Sequence, residues 1–289
     1  MNNTNNLSTR YQHQLNHIFN RPVTQPEWYW TPHEEAGVFD DDDPMTAFLF
    51  IETLLQDIKT DLQPYSDDQI ALGLEFVFNN AISNLSIDFK NAPVPHERKV
   101  SALQSLFAMF RDVFEPRCTP KTSTGTKETV SKLNNICYMF WDVSPLSNWL
   151  KLTNAEDINL TFMTTLEASD IANMQLPEQV KALMLEQMAK AKSVKTKTPE
   201  ENYMDMQQQY RDADAETKAY YRAVAEVMEH CLSLNNPSCI ESGLHGLGHL
   251  ATFQPHLAVP IIDRFLKNRK KLDPPLRRYA EEARTGMIL

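Results

Sequence analysis

The sequence predicts an all-α protein built from stacked antiparallel helices. Glycine is scarce, with 7 residues in 289, whereas a β-rich chain of this size needs many glycines in its turns. Proline is common, with 17 residues, and falls mostly between apolar stretches, where it separates helices. Within those stretches, apolar residues recur at steps of three or four, which places them on one face of a helix.

The N-terminal residues 1–43 are expected to be an irregular segment, except for a loosely attached helix in the first 20 residues. Leu15, Ile18 and Phe19 would dock that helix on the core. A helical domain is predicted over 44–289. Its sequence is polar and basic near 190–201, which indicates an exposed loop or a soft domain boundary there.

The first strong helix begins at Pro44, because Asp43 can cap it and proline suits the first helical position. Its apolar face comprises Phe48, Ile51, Leu55, Ile58 and Leu62. The next helix opens at Ser66, which forms a predicted capping box with Gln69. Two further striped helices follow, from near Pro95 and near Lys127.

The C-terminal third shows a rhythm of proline-started helices. A long helix is predicted from about Glu201 to Leu234, with a break near Asp212 to Asp214. Pro237, Pro255 and Pro274 then each occupy the start of a helix. Two such steps span 37 residues, from 237 to 274, which is close to one helix-turn-helix repeat. Repeats of this kind bury their apolar faces against their neighbours, so we predict an α-solenoid-like stack.

Composition and charge narrow the function classes. No run of about 18 apolar residues is present, and residues 1–10 lack the pattern of a signal peptide, so we expect a cytoplasmic protein. The four cysteines form no CxxC pair and are expected to be reduced thiols. A net charge of −10 disfavours binding to nucleic acid phosphates.

The negative charge is concentrated in one segment. Between Thr31 and Glu75 there are twelve acidic residues and one basic residue, Lys59. Such a segment suits a basic partner, because opposite charges steer encounter. The predicted binding residues are Glu34, Glu35, Asp40, Asp41, Asp42, Asp43, Asp67 and Asp68. Two other interpretations of the run at 40–43 are a solvated loop that stabilises the following helix and a Ca²⁺ or Mg²⁺ site, although the run lacks the spacing of an EF-hand loop.

A second candidate site contains His245 and His249, which are four residues apart and so share a helix face. With Cys231 and Cys239 they would complete a four-ligand zinc site. The favoured interpretation is a tightly packed, glycine-rich helix with locally hydrogen-bonded histidines, because Gly246 stands where zinc hydrolases carry a glutamate. We therefore predict no catalytic residue, no metal ligand and no cofactor.

The neighbouring stretch at 137–142 is likewise assigned to the core. Cys137 lies on an apolar stripe, and nothing in the sequence supplies a base to activate it. Trp141 and Asp142, at the end of the same helix, are assigned to packing and a local hydrogen bond.

Three stretches together carry a resemblance: His96-Glu97-Arg98 through Phe110 to Phe114, Ile136 to Asp142, and Cys239 to Leu250 with the ending Tyr279 to Gly286. They resemble a group of bacterial helical proteins that are similar to HEAT-repeat solenoids. The resemblance implies a HEAT-like scaffold without catalytic residues. Small stand-alone bacterial proteins of this sort are often immunity proteins that neutralise a toxin.

The resulting hypothesis is a non-enzymatic protein-binding scaffold, an immunity protein that blocks a basic bacterial toxin through its acidic segment. Neither a nucleic acid nor a membrane is expected as a partner. Two alternatives stay open: a metal-dependent enzyme that uses His245 and His249, and a regulatory adaptor.

Overall fold

All secondary structure in the described part of the chain is helical. The computed structural model describes residues 2–30, 43–122, 131–149, 167–173, 178–193 and 199–288. No strand occurs within these ranges, so the predicted all-α class is confirmed. The stacking of the helices as a HEAT-like solenoid stays a prediction. Among the described helices, none combines the length and the apolar character needed to cross a membrane.

The helices are numbered along the chain. The first group comprises α1 (Asn2–Phe19), α2 (Pro44–Asp61), α3 (Asp67–Phe78), α4 (Leu85–Asn91), α5 (His96–Gln104), α6 (Leu106–Met109), α7 (Glu115–Arg117) and α8 (Lys132–Val143). A π-helical turn, Phe110–Phe114, joins α6 to α7, and 3-10 turns lie at Trp28–Trp30 and Pro145–Ser147. The later helices are α9 (Ala168–Asn173), α10 (Glu178–Ser193), α11 (Pro199–Asp212), α12 (Ala215–Cys231), α13 (Pro237–Phe253), α14 (Pro255–Asn268) and α15 (Pro274–Arg284).

Contacts divide the chain into two units. The first combines Met1–Trp149 with Ala213–Leu289, and the second is Leu150–Asp212, which contains α9, α10 and α11. The sequence-based division instead placed 44–289 in one domain with a soft boundary near 190–201. The composition change there marks a change in polarity, whereas the units are defined by which helices pack together.

Most predicted helix starts are confirmed by their caps. Asp43 accepts a hydrogen bond from the backbone N–H of Met45 at 3.0 Å. Ser66 and Gln69 form both bonds of the capping box. The predicted break between α11 and α12 is present, and Asp214 caps α12 by accepting from the N–H of Thr217 at 2.7 Å. These helix starts could be predicted from the sequence because a cap involves only residues within one helical turn.

The N-terminal helix that the sequence predicts within the first 20 residues is present. α1 covers Asn2–Phe19, and its predicted docking residues Leu15, Ile18 and Phe19 are all buried. The stripe of α2 is buried as predicted as well.

Helix α13 is central to the first unit. It packs against α8, α12, α14 and α15, and an unbroken run from Ser238 to Gly248 is buried. Glycines allow this crowding: a Cβ added at Gly243 would lie 2.7 Å from the carbonyl oxygen of Met228, and one at Gly246 would lie 2.8 Å from the Trp141 ring. The predicted tight packing of this helix is confirmed.

Polar bonds fix α13 against α8. Ser242 donates to the carbonyl oxygen of Cys137 at 2.5 Å, and Asn134 Nδ2 donates to the Ser238 hydroxyl at 2.7 Å. At the start of α13, the backbone N–H of Asn236 donates to Glu115 at 2.9 Å. The first two bonds set the register in which α8 and α13 face each other, and the third ties the start of α13 to α7.

Candidate metal centre

Two polar rows face each other across α8 and α13. On α8, Tyr138 and Asp142 are four residues apart, and on α13 the residues Glu241, His245 and His249 follow at steps of four. Residues four apart lie one above the other on a helix face. The close packing of the two helices therefore brings a carboxylate opposite a pair of imidazoles.

Asp142, His245 and His249 form what we call the His–Asp centre. One carboxylate oxygen of Asp142 lies 2.6 Å from Nε2 of His245, and the other lies 2.5 Å from Nε2 of His249. The two Nε2 atoms are 3.1 Å apart. The three side chains thus offer one ligand atom each within 4.8 Å of one another.

A pair of tyrosines supports the centre from behind. The hydroxyl of Tyr279, on α15, lies 2.5 Å from Nδ1 of His245. Tyr138 packs its ring against the His245 ring, with 4.4 Å between centroids, and its hydroxyl is 3.2 Å from that of Tyr279. The buried His245 ring is therefore fixed in orientation by contacts on both nitrogens and on one face.

The three side chains of the His–Asp centre differ in their exposure to solvent. The side chain of His245 is 3 % exposed, that of Asp142 is 24 % exposed, and that of His249 is 44 % exposed. One imidazole is thus held rigidly inside the protein while the carboxylate and the other imidazole reach solvent.

Ionisation of the flanking groups follows from this environment. Burial acts to raise the pKa of Asp142, but hydrogen bonds from His245 and His249 outweigh it and hold the pKa below its ordinary value. Burial, followed by the hydrogen bond with Tyr138, raises the pKa of the Tyr279 hydroxyl. The centre therefore carries a carboxylate anion beside neutral phenols.

The separation of the imidazoles suits a shared cation. Two nitrogens bound to a tetrahedral zinc ion at about 2.0–2.1 Å lie about 3.3 Å apart, close to the 3.1 Å between Nε2 of His245 and Nε2 of His249. The same distances also fit a hydrogen-bonded cluster in which each nitrogen donates an N–H group to one oxygen of Asp142. The carboxylate oxygens, at 2.5 and 2.6 Å from these nitrogens, would have to withdraw by about 0.7–0.8 Å to bind the same ion in this geometry.

A pocket of about 220 Å³ adjoins the open side of the centre. Asp142 and His249 both line it, whereas His245 lies behind them. The other lining residues are Trp141, Ser147, Asn148, Met228, Gly246, Leu250 and Phe253. A metal ion held at the centre would therefore have the pocket beside it.

The serine that lines the pocket and the buried cysteines are poorly placed to act as nucleophiles. Ser147 lines the pocket, but its hydroxyl donates to the carbonyl oxygen of Ser144 at 3.1 Å. All four cysteines are free and buried, and none lines the pocket. The donor set of two imidazoles and one carboxylate is instead typical of a catalytic metal site with open coordination positions.

The cysteines proposed to complete a zinc site with His245 and His249 do not do so. Cys239 is buried with its Sγ 3.9 Å from the carbonyl oxygen of Phe110, and neither it nor Cys231 belongs to the His–Asp centre. The third potential ligand is Asp142, which the sequence assigned to a local hydrogen bond. Its partners lie 103 and 107 positions away, on α13.

The predicted acidic binding residues are only partly within the described chain. Glu34, Glu35, Asp40, Asp41 and Asp42 lie outside the described residues. Asp43 caps α2, and Asp67 pairs with Arg117 at 2.9 Å. Asp68 is exposed in the first turn of α3. The described acids thus serve local structure in two cases out of three.

Comparison with known proteins adds no assignment: the chain matches no protein-family model, no curated protein sequence and no solved structure.

Proposed function

We propose that the protein binds one divalent transition-metal ion through Asp142, His245 and His249 and uses it on a small molecule in the adjoining pocket. The observation that carries the proposal is the convergence of three ligand atoms within 4.8 Å at the mouth of a pocket. A zinc ion on three protein ligands polarises a bound oxygen or lowers the pKa of bound water.

Each of the three ligands has a distinct role in the proposed metal site. His245 is buried and fixed by Tyr279, as is usual for a metal-ligating histidine whose second nitrogen is hydrogen-bonded. Asp142 contributes negative charge, which strengthens cation binding. His249, the most exposed of the three, would complete the set from the pocket side.

The test is metal titration of the purified full chain by calorimetry, with elemental analysis of the bound metal. We expect one zinc or cobalt ion per chain. His249→Ala should weaken binding on the order of 100-fold or more, because a direct ligand is lost. Since His249 is part-exposed, this variant removes little core packing.

His256→Ala is the matched control, since it removes another exposed histidine, from α14. We expect this variant to bind metal as the natural chain does. Absence of stoichiometric metal, or equal affinities in the natural chain and His249→Ala, would show that the centre is only a hydrogen-bonded cluster.

A second candidate function is binding of a basic protein, as an immunity protein binds a toxin. What favours it is the charge of −11 between Thr31 and Glu75, which comes from twelve acids and one base. In the described part of that segment, Asp68 is exposed to solvent. Charge of this density steers a basic partner and makes its binding salt-dependent.

This candidate is tested by pull-down from the native host with a chain in which Asp40, Asp41 and Asp42 are changed to lysine. Asp43 is retained, because it caps α2. A basic protein should be captured by the natural chain at low salt and lost with the charge-reversed chain. Capture that is unchanged by the substitutions and by salt would count against the acidic segment as the binding surface.

A further inference from the structure

We infer that the pocket beside the His–Asp centre accepts a compact, singly charged acid with an apolar body, and that phosphorylated compounds are not its ligands. The inference rests on the proposed metal centre and names the class of small molecule that it would serve. It is argued from the walls of the pocket, from its charge and from its size.

The walls of the pocket are mainly apolar. Trp141 contributes an aromatic surface, Met228 and Leu250 contribute flexible aliphatic surfaces, and Phe253 adds a second ring. At Gly246 the wall is bare backbone, and a Cβ there would lie 2.7 Å from Met228 and 2.8 Å from Trp141. Such walls favour a flat or short apolar group, because burying apolar surface releases free energy in proportion to area.

The charge of the site suits one negative charge on the ligand. Among the groups that line the pocket, a divalent ion and the Asp142 carboxylate sum to a net charge of about +1. Among the described residues that line the pocket there is neither a lysine nor an arginine. Lys90 is close in the fold, but it donates to the carbonyl oxygen of Asn148 and lies 5.3 Å from the Trp149 ring centroid. A phosphate dianion would therefore carry a second charge that no described side chain of the lining pairs.

Polar groups on the pocket wall are held in place by neighbours. Asn148 accepts a hydrogen bond from the Tyr221 hydroxyl at 2.9 Å, and Ser147 donates to Ser144. These bonds fix the polar part of the wall before a ligand binds. The volume of about 220 Å³ limits the ligand to a single ring or a short chain next to the metal-binding head.

The probes are two hydroxamic acids and one phosphate ester, added to the full chain loaded with Co²⁺. Binding is followed by the visible absorption of the metal. Acetohydroxamate and benzohydroxamate carry the same chelating group, so their difference isolates the apolar body. We expect benzohydroxamate to bind about tenfold more tightly, from the extra apolar area that it buries, and phenyl phosphate to bind no better than acetohydroxamate.

Phe253→Ala removes one wall from a partly exposed position and should abolish the preference for benzohydroxamate while acetohydroxamate binds as before. Phe76→Ala is the matched control, because Phe76 is also partly exposed but packs against Trp28, away from the pocket. The comparison of probes on the natural chain does not depend on either variant folding.

The outcomes separate the two proposals. If the chain takes up no Co²⁺, the metal centre fails and the ligand class fails with it. If Co²⁺ binds but the two hydroxamates bind equally, or phenyl phosphate binds best, the ligand class is overturned and the metal centre stands. A tenfold preference that Phe253→Ala removes and Phe76→Ala keeps would support the ligand class.

Discussion

Two groups of potential metal ligands each include residues of α8 and α13, and they differ in burial and in ionisation. The thiol cluster comprises Cys118, Cys137, Cys231 and Cys239, of which Cys137 is on α8 and Cys239 on α13. The His–Asp centre lies further along the same two helices, at Asp142 and at His245 with His249. The first is enclosed by core residues, and the second opens on a pocket.

The comparison shows how the surroundings of a titratable group determine which of its ionisation states is stable. Burial raises the pKa of the Cys137 thiol well above its ordinary value, and the nearby thiols of Cys118 and Cys239 raise it further. Burial also raises the pKa of Cys231. At Asp142 the same effect of burial is overcome by hydrogen bonds from two imidazoles, so the anion is favoured. The thiols are therefore inert apolar groups, while the carboxylate is ready to bind a cation.

The largest effect expected from this comparison concerns thiol reactivity. In the native protein, all four cysteines should react with a chromogenic disulfide reagent on the order of 100-fold or more slowly than in denaturant, because reaction requires local opening of the core. Absorbance at the wavelength of the released thiolate measures the rates. Rapid labelling of even one cysteine in the native protein would show that the cluster is accessible.

Packing between α13 and its neighbours gives the next largest effect. Gly246→Ala should lower the free energy of unfolding by about 2 kcal/mol, because its Cβ would clash with Trp141 and Met228. Gly248→Ala should cost less than about 1 kcal/mol, since the three atoms nearest to its Cβ all belong to the Ile288 side chain, which is able to move. Urea denaturation compares the two variants. Equal losses would mean that contact with α8 and α12 is not what requires glycine at 246.

The tyrosines behind His245 provide a smaller and more specific effect. Tyr279→Phe should weaken zinc binding about tenfold, because the partner of Nδ1 is lost. Tyr138→Phe should weaken it no more than about threefold, since that hydroxyl lies 3.2 Å from the Tyr279 hydroxyl, one step further from His245. Titration calorimetry measures both variants, and unfolding of the metal-free proteins separates metal affinity from fold stability. A larger loss in Tyr138→Phe than in Tyr279→Phe would contradict this order.

The smallest effect concerns a buried polar group at the end of α13. Within the described structure, neither side-chain polar atom of Gln254 has a hydrogen-bond partner, and the residue is fully buried. Gln254→Leu should raise the free energy of unfolding by about 1 kcal/mol, because an unpaired amide costs free energy inside a protein. Denaturant titration checks the sign. A loss of stability would indicate that this amide is paired in solution, as the polar groups of the His–Asp centre are.

Local signals in the sequence were sufficient for most helices. Pro237, Pro255 and Pro274 begin helices as predicted, since proline at the first helical turn lacks only a donor that has no partner there. The His245 and His249 pair was also recognisable, because a spacing of four places both on one face.

The third potential ligand, Asp142, could not be predicted from the sequence in the same way. Asp142 belongs to α8, and its approach to α13 depends on how distant helices pack, which short-range patterns do not record. The cysteine alternative, however, could have been rejected from the sequence. Cys239 precedes His245 by six residues and His249 by ten, which places it about 100° from the middle of the histidine face at 3.6 residues per turn. Glu241, four residues before His245, lies on that face.

The separation of 103 residues between Asp142 and His245 has a consequence for the order of folding. During synthesis, α8 leaves the ribosome long before α13, and the whole of the second unit is made between them. Contacts between such distant residues form late, because the intervening chain must first be brought into a loop. A metal ion would therefore find its complete set of ligands only on a nearly finished chain, and its uptake would report that the first unit has closed.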